Sequence, residues 1–78
     1  MERRIFAEAY ELKDGGFRGL AKDFRTNTVQ RGEVRPTLNE AKRDAHNFAV
    51  AMLAGRPYAS GTYRSPRNAW KMNYWVAA

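Results

Sequence analysis

Basic side chains alternate with aromatic rings in the last third of the chain, the one stretch whose residue types stand out chemically. Residues 55–78 contain four Lys and Arg side chains and no Asp or Glu. Guanidinium groups pair with phosphates, and exposed aromatic rings stack on unpaired bases. The mixture equally suits a protein interface, where Tyr, Trp and Arg dominate the binding energy. The candidate partner-binding residues are Arg56, Tyr58, Tyr63, Arg64, Arg67, Lys71 and Trp75.

The charge of the whole chain agrees with an acidic partner. Among 78 residues, 14 Lys and Arg stand against 8 Asp and Glu, a formal net charge of +6. This excess predicts binding to RNA, to single-stranded DNA, or to a nucleoprotein or protein complex, although it also serves solubility alone. The length allows one small domain over residues 1–78, and the 44% hydrophobic content predicts that it folds.

Catalytic and metal chemistry find little support in the sequence. The absence of cysteine excludes disulfides and thiolate sites. The single histidine, His46, lies two positions after Asp44 on a predicted helix, so the two side chains point apart. Gly15-Gly16 is better explained by a turn than by phosphate binding. We therefore predict no enzymatic activity, no cofactor and no metal.

Membrane insertion and secretion are not predicted either. No apolar run approaches the roughly 20 residues of a membrane span. The N-terminal residues also lack the uninterrupted apolar region of a signal peptide. The expectation is a soluble cytoplasmic protein that does not contact a membrane.

The stretch from Thr37 to Gly55 predicts an amphipathic helix with a signal at each end. Thr37 and Glu40 form a capping box, and Gly55, followed closely by a proline, favours a left-handed C-terminus. We expect Phe48 and Met52 to set the apolar stripe that packs on a sheet. Residues at helical spacing on this face are Leu38, Ala41, Ala45, Phe48, Ala49 and Met52.

Residues 5–24 fit two structures. The first is a β-hairpin turning at residues 13–16, in a register that pairs Leu12 with Phe17 and Tyr10 with Gly19. The second is a pair of short helices, because apolar residues also recur at helical spacing. We favour the hairpin, and the spacing leaves both open.

The remaining segments complete a small sheet. Val29 extends the second strand, and residues 33–35 form a short third strand or an exposed loop. Residues 56–67 contain prolines and a glycine, which is typical of a connection. Alternation over residues 68–77 predicts a strand whose inward side chains are Trp70, Met72, Tyr74 and Val76.

The predicted architecture is therefore α+β: a small antiparallel sheet in the order β-β-(β)-α-β with one amphipathic helix packed on one face. A helix starting at Ser65, with proline at its first position, is the alternative for the last strand. In the favoured architecture, Trp75 lies on the lysine side of an edge strand.

Two functions follow from these features. The first is a non-enzymatic basic binding module that engages a nucleic acid or nucleoprotein complex through its C-terminal third. The second is a protein inhibitor that blocks a host machine by protein–protein contact. In size, lack of cysteine and absence of a catalytic set, the chain resembles the small inhibitor and accessory proteins of bacteriophages and mobile elements, including anti-CRISPR proteins. No specific motif carries this resemblance. A homodimer that pairs through the last strand is a further possibility.

Overall fold

The computed structural model describes residues 2–62 and 69–77, and only the backbone of residues 2, 3 and 77. Within these ranges the elements follow the order β-β-β-α-β-β. Their bounds are β1 Glu2–Glu11, β2 Phe17–Asp23, β3 Thr28–Arg31, α1 Leu38–Leu53, β4 Ala59–Thr62 and β5 Ala69–Ala77. The strands form an antiparallel sheet in the order β3-β2-β1-β5-β4, against which α1 packs. This confirms the predicted α+β fold.

Strands β1 and β2 form the predicted hairpin, so the alternative of two short helices is wrong. Gly15 and Gly16 have φ angles of 94° and 81°, in the left-handed region that residues with a side chain rarely adopt. The N–H of Gly15 donates to the oxygen of Leu12 at 3.0 Å, and the N–H of Leu12 donates to the oxygen of Gly16 at 2.9 Å. Leu12 therefore belongs to the loop.

The register of this hairpin differs by one residue from the predicted one. Glu11 pairs with Phe17, and Tyr10 pairs with Arg18. The prediction placed Leu12 opposite Phe17, but Leu12 is taken into the turn. Because successive side chains of a strand point to opposite faces, this shift changes every cross-strand neighbour and brings Tyr10 beside Arg18.

The chain turns after β2 earlier than predicted. Residues 24–27 form the turn, and Val29 lies in β3 instead of extending β2. The carboxylate of Asp23 accepts the N–H of Arg25 at 3.0 Å, and Asn27 takes a left-handed φ of 57°. Short polar side chains of this kind favour a turn by bonding to the local backbone. Asp23 and Asn27 therefore favour a turn at residues 24–27.

The segment between β3 and α1 is tied to both the sheet and the helix. The predicted strand at residues 33–35 is reduced to one bridge, in which Arg35 and Phe17 exchange hydrogen bonds of 2.7 and 2.8 Å. The Arg35 guanidinium also donates to both carboxylate oxygens of Asp44, at 2.7 and 3.2 Å. The hydrogen bond to Asp44, and then its charge, raise the pKa of Arg35.

Residues Ala59–Thr62, predicted to be part of a connection, form the edge strand β4. β4 pairs with β5 from Met72 to Trp75, so along these residues β5 lies between β1 and β4. The prediction of an edge position for Trp75 is therefore wrong, and a homodimer through the last strand has no free edge there. Gly61 leaves room for the indole: a Cβ at this position would stand 3.3 Å from Cζ3 of Trp75.

Both ends of α1 are capped by local interactions. Thr37 is the N-cap residue, and its hydroxyl oxygen accepts the N–H of Glu40 at 3.3 Å. This confirms the predicted N-cap. The Glu40 carboxylate accepts from the same hydroxyl at 3.1 Å, in place of the backbone N–H that the predicted capping box gives it. At the other end, Ala54 already has a left-handed φ of 52°, and Gly55 follows with 80°. The left-handed end thus begins one residue before the predicted glycine.

The core lies between α1 and one face of the sheet. Phe48 and Met52 are only half-buried at its margin, so they do not set the apolar stripe as predicted. The helix instead contributes mainly alanines, whose small side chains allow close approach to the strands. The buried core cluster consists of Ile5, Ala7, Ala21, Ala45, Ala49, Leu53, Tyr74 and Val76. Trp70 and Met72 pack against it, which confirms the predicted inward set of the last strand.

Candidate functional site

The structure does not bring the predicted binding residues onto one surface. Arg56 is exposed in the turn that follows α1. Tyr58 is 43% exposed and contacts Tyr74 edge-on, with ring centroids 5.5 Å apart, on the helix side of the sheet. Lys71 and Trp75 point to the opposite side. Three further residues of the predicted set lie outside the described residues: Tyr63, Arg64 and Arg67.

Strand alternation and register place a second group of side chains on the sheet face opposite α1. Examples are the cross-strand pairs Tyr10 with Arg18 and Glu8 with Lys71. Paired residues of antiparallel strands point to the same face. We call this surface the outer face. It is formed by Arg4, Phe6, Glu8, Tyr10, Arg18, Leu20, Lys22, Val29, Arg31, Lys71, Asn73 and Trp75.

The outer face is strongly basic. Among the side chains that the structure describes on this face, the acidic one is Glu8, which lies opposite Lys71 in the register. Other acids within residues 4–36 lie elsewhere: Asp14 lies in the hairpin turn, Glu33 lies in the connection between β3 and α1, and Asp23 is buried on the helix side. The basic side chains of the outer face are Arg4, Arg18, Lys22, Arg31 and Lys71.

Aromatic rings lie between these charges. Phe6 and Tyr10 on β1 are half-buried, as is Trp75 on β5. The indole of Trp75 lies against Gly61 of β4, a residue without a side chain that would push the ring away. The rings are thus held by the strands and remain partly accessible, as stacking on a base requires.

Two buried polar atoms on the outer face have no hydrogen-bond partner. They are Oδ1 of Asn73, a residue only 2% exposed, and Nε of Arg18. An unpaired buried polar atom costs about 1 to 3 kcal/mol, so such atoms are uncommon in folded proteins. Among the described residues, the buried side-chain atoms without a partner all lie on this face.

The helix side carries a different arrangement. Nδ1 of His46 lies 2.7 Å from the hydroxyl of Tyr74, and this contact joins α1 to β5. Burial, and then the charge of Tyr58, raise the pKa of Tyr74 to about 12. The pair links the helix to the core, and among the described residues no carboxylate forms a hydrogen bond with His46.

The described residues provide neither a metal site nor a membrane-spanning helix. Within residues 2–62 and 69–77, no three His, Asp or Glu side chains come together to hold a metal ion. In the same ranges, α1 is too short and too polar to span a bilayer. The cytoplasmic location, the lack of a cofactor and the lack of catalysis stay predictions.

Sequence reasoning missed most of the outer face because residues 1–36 look balanced in charge when read along the chain. The signal that separates them is the strand period of two. In β1 and β2 the even positions carry Arg4, Tyr10, Arg18 and Lys22, whereas the odd positions within residues 5–9 and 17–21 carry small or apolar residues on the helix side.

Comparison with protein-family models, with curated proteins and with solved structures finds no match to this chain. The fold and the site therefore define its class by themselves. It is a small α+β protein with one sheet face packed on a helix and the other basic and aromatic.

Proposed function

We propose that this protein binds single-stranded nucleic acid, RNA or DNA, through the outer face and catalyses no reaction on it. The observation that carries the proposal is the sharing of one sheet face by basic side chains and aromatic rings from neighbouring strands. Basic groups supply affinity for phosphates, and rings stack on unpaired bases without regard to sequence. Known RNA-binding modules also stack bases on aromatic residues of an antiparallel sheet.

The proposed surface only partly agrees with the site predicted from the sequence. Lys71 and Trp75 of the predicted set belong to it. Arg56 is not part of it, and Tyr58 lies on the helix side. Most of the charge comes instead from β1, β2 and β3. Tyr63, Arg64 and Arg67 lie outside the described residues, so their role stays a prediction.

The distribution of charge favours a nucleic acid over a protein partner. The centres of protein interfaces are depleted of charged side chains, and of Lys in particular. On the outer face, Lys22 and Lys71 lie in the two strands that flank β1, so charge runs through the middle of the surface. The inhibitor that acts by protein–protein contact is therefore the second candidate.

Equilibrium binding at several salt concentrations tests the proposal. Wild type should bind a labelled single-stranded oligonucleotide of about 20 nucleotides, with affinity falling steeply between low and moderate salt. The variant Lys22→Gln/Lys71→Gln should bind more weakly. Its log–log salt slope should be shallower by about 0.7 for each phosphate that the protein no longer neutralises.

A matched variant controls for net charge. Lys13→Gln/Arg43→Gln also removes two charges, from the hairpin turn and the exposed side of α1. It should lose much less affinity than the outer-face variant. Equal losses in the two variants, or no binding of wild type at low salt, would refute the proposal. If an acidic protein bound the outer face and no oligonucleotide did, the inhibitor function would be supported instead.

A further inference from the structure

Phe24, the residue that follows β2, is a large apolar side chain in an exposed position. It is 44% exposed. Its N–H donates to the carbonyl oxygen of Arg4 at 3.3 Å, which continues the pairing of β1 with β2 by one residue. Phe24 therefore stands next to Arg4, on the same side of the sheet as the outer face.

Two cations lie over this ring. The guanidinium carbon of Arg4 is 4.4 Å from the ring centroid, and the ammonium nitrogen of Lys22 is 5.0 Å from it. Each cation is attracted to the ring, but the two repel one another. An anionic group placed next to both would be stabilised. Phe24 thus combines an exposed ring with a place for a phosphate.

Arg4 also connects Phe24 with Trp75. In the register, Arg4 pairs with Trp75 on its other side, in β5. Neighbouring strands are separated by about 4.8 Å, so the backbones at Phe24 and Trp75 lie roughly 10 Å apart with Arg4 between them. In the register Arg4 therefore lies between Phe24 and Trp75, and its guanidinium lies over the Phe24 ring.

We propose that Trp75, Arg4 and Phe24 form a subsite for two nucleotides of one unpaired strand. One base stacks on Trp75 and another packs against the exposed part of the Phe24 ring, and Arg4, with Lys22, contacts the phosphate between them. This inference rests on the proposed function. It specifies two nucleotides of an unpaired strand as the ligand of this part of the outer face. It makes unpaired bases a requirement, because bases within a duplex cannot reach either ring.

The test compares a single-stranded oligonucleotide with a duplex of the same sequence. Phe24→Leu removes the ring but keeps an apolar side chain, and Phe24→Tyr keeps the ring. Phe24→Leu should weaken single-strand binding about five- to tenfold, and Phe24→Tyr should stay within about twofold of wild type. Neither should alter duplex binding. Arg4→Gln should weaken both, because the duplex also presents phosphates.

Tyr58→Leu is the matched control, since Tyr58 is an exposed ring on the helix side with a similar exposed fraction. It should leave single-strand binding unchanged. If wild type binds single strands but Phe24→Leu loses no more affinity than Tyr58→Leu, the subsite is refuted while the proposed function stands. If wild type binds no nucleic acid at all, both proposals fail. Thermal unfolding confirms that each variant is folded.

Discussion

Gly19 of β2 lies directly against the backbone of Ala41 on α1. A Cβ at position 19 would collide with the carbonyl oxygen of Ala41 and stand 2.9 Å from the nitrogen of Ala45. The helix therefore rests on the strand through its backbone, and the alanines of α1 make this approach possible. This contact commits one face of the sheet to the helix and leaves the basic and aromatic face on the other side.

Gly19→Ala should destabilise the protein by about 3 kcal/mol, because the methyl group meets backbone that cannot rotate away. Urea unfolding measures the change. The matched control is Gly61→Ala, at a glycine in another strand, where a Cβ meets the ring of Trp75 at 3.3 Å. Its free energy of unfolding should stay within about 1 kcal/mol of wild type. Equal effects would show that the close approach of α1 to β2 is not rigid.

Ala54→Gly should stabilise the protein by about 0.5 to 1 kcal/mol. Ala54 has a φ of 52°, which is unfavourable for a residue with a side chain and natural for glycine. Part of the gain is offset by the greater freedom of glycine in the unfolded chain. Ala51→Gly, inside the same helix, should instead destabilise by about 1 kcal/mol. Thermal melting of both variants shows whether the two substitutions act in opposite directions.

Alkaline pH should destabilise the protein through Tyr74. Burial raises the pKa of Tyr74 to about 12, whereas a tyrosine in an unfolded chain ionises near pH 10. The stabilising contribution is complete below about pH 10 and is lost as the pH rises towards 12, because the unfolded state releases the proton first. Tyr74→Phe should therefore lose less unfolding free energy than wild type over this interval.

Two measurements check the Tyr74 prediction. Ultraviolet titration of tyrosinate should show a last step near pH 12 that is absent from Tyr74→Phe and present in Tyr10→Phe. Denaturant unfolding at several alkaline pH values should give a flatter profile for Tyr74→Phe. A last titration step unaffected by this substitution would show that another tyrosine is the one with the raised pKa.

The fluorescence of Trp75 should report on an oligonucleotide that binds across the outer face. In a Trp70→Phe background Trp75 is the remaining tryptophan, and its fluorescence should fall when a single-stranded oligonucleotide is added, since stacked bases quench the indole. In Trp75→Phe the remaining ring, Trp70, packs on the helix side, with Nζ of Lys42 5.8 Å from its centroid. That variant should show little quenching. If only the fluorescence of Trp70 were quenched, the oligonucleotide would lie on the helix side of the sheet, and the proposal would be refuted.

Much of the local structure was predictable from short stretches of sequence. Thr37 caps α1 as predicted, because its hydroxyl and the N–H of Glu40 lie within one helical turn. Gly15 and Gly16 mark the hairpin turn, because few other residues take their φ angles. The period of two identified the inward residues of β5 and placed Trp75 on the opposite face. In each case the physical cause acts between residues close together in the chain.

The candidate site was predicted less well, and the reason is the range of the interactions that build it. Lys71 and Trp75 were found because they lie in a stretch without acids. Arg4 and Lys22 were not, because along the chain they stand among acidic residues. Only the pairing of β1 with β2 and β5 separates these cations from the acids and gathers them on one face.

The sequence by itself determined the N-cap, the α+β class and the positive charge and favoured the hairpin turn, since these depend on composition or on neighbours a few residues apart. Tertiary structure alone decided the hairpin register, the strand β4 and the membership of the outer face. These depend on hydrogen bonds and packing between distant segments, such as Arg4 with Trp75 and Gly19 with Ala41. A shift of one residue in the pairing would turn each strand over, so the surface exists only once the register is set.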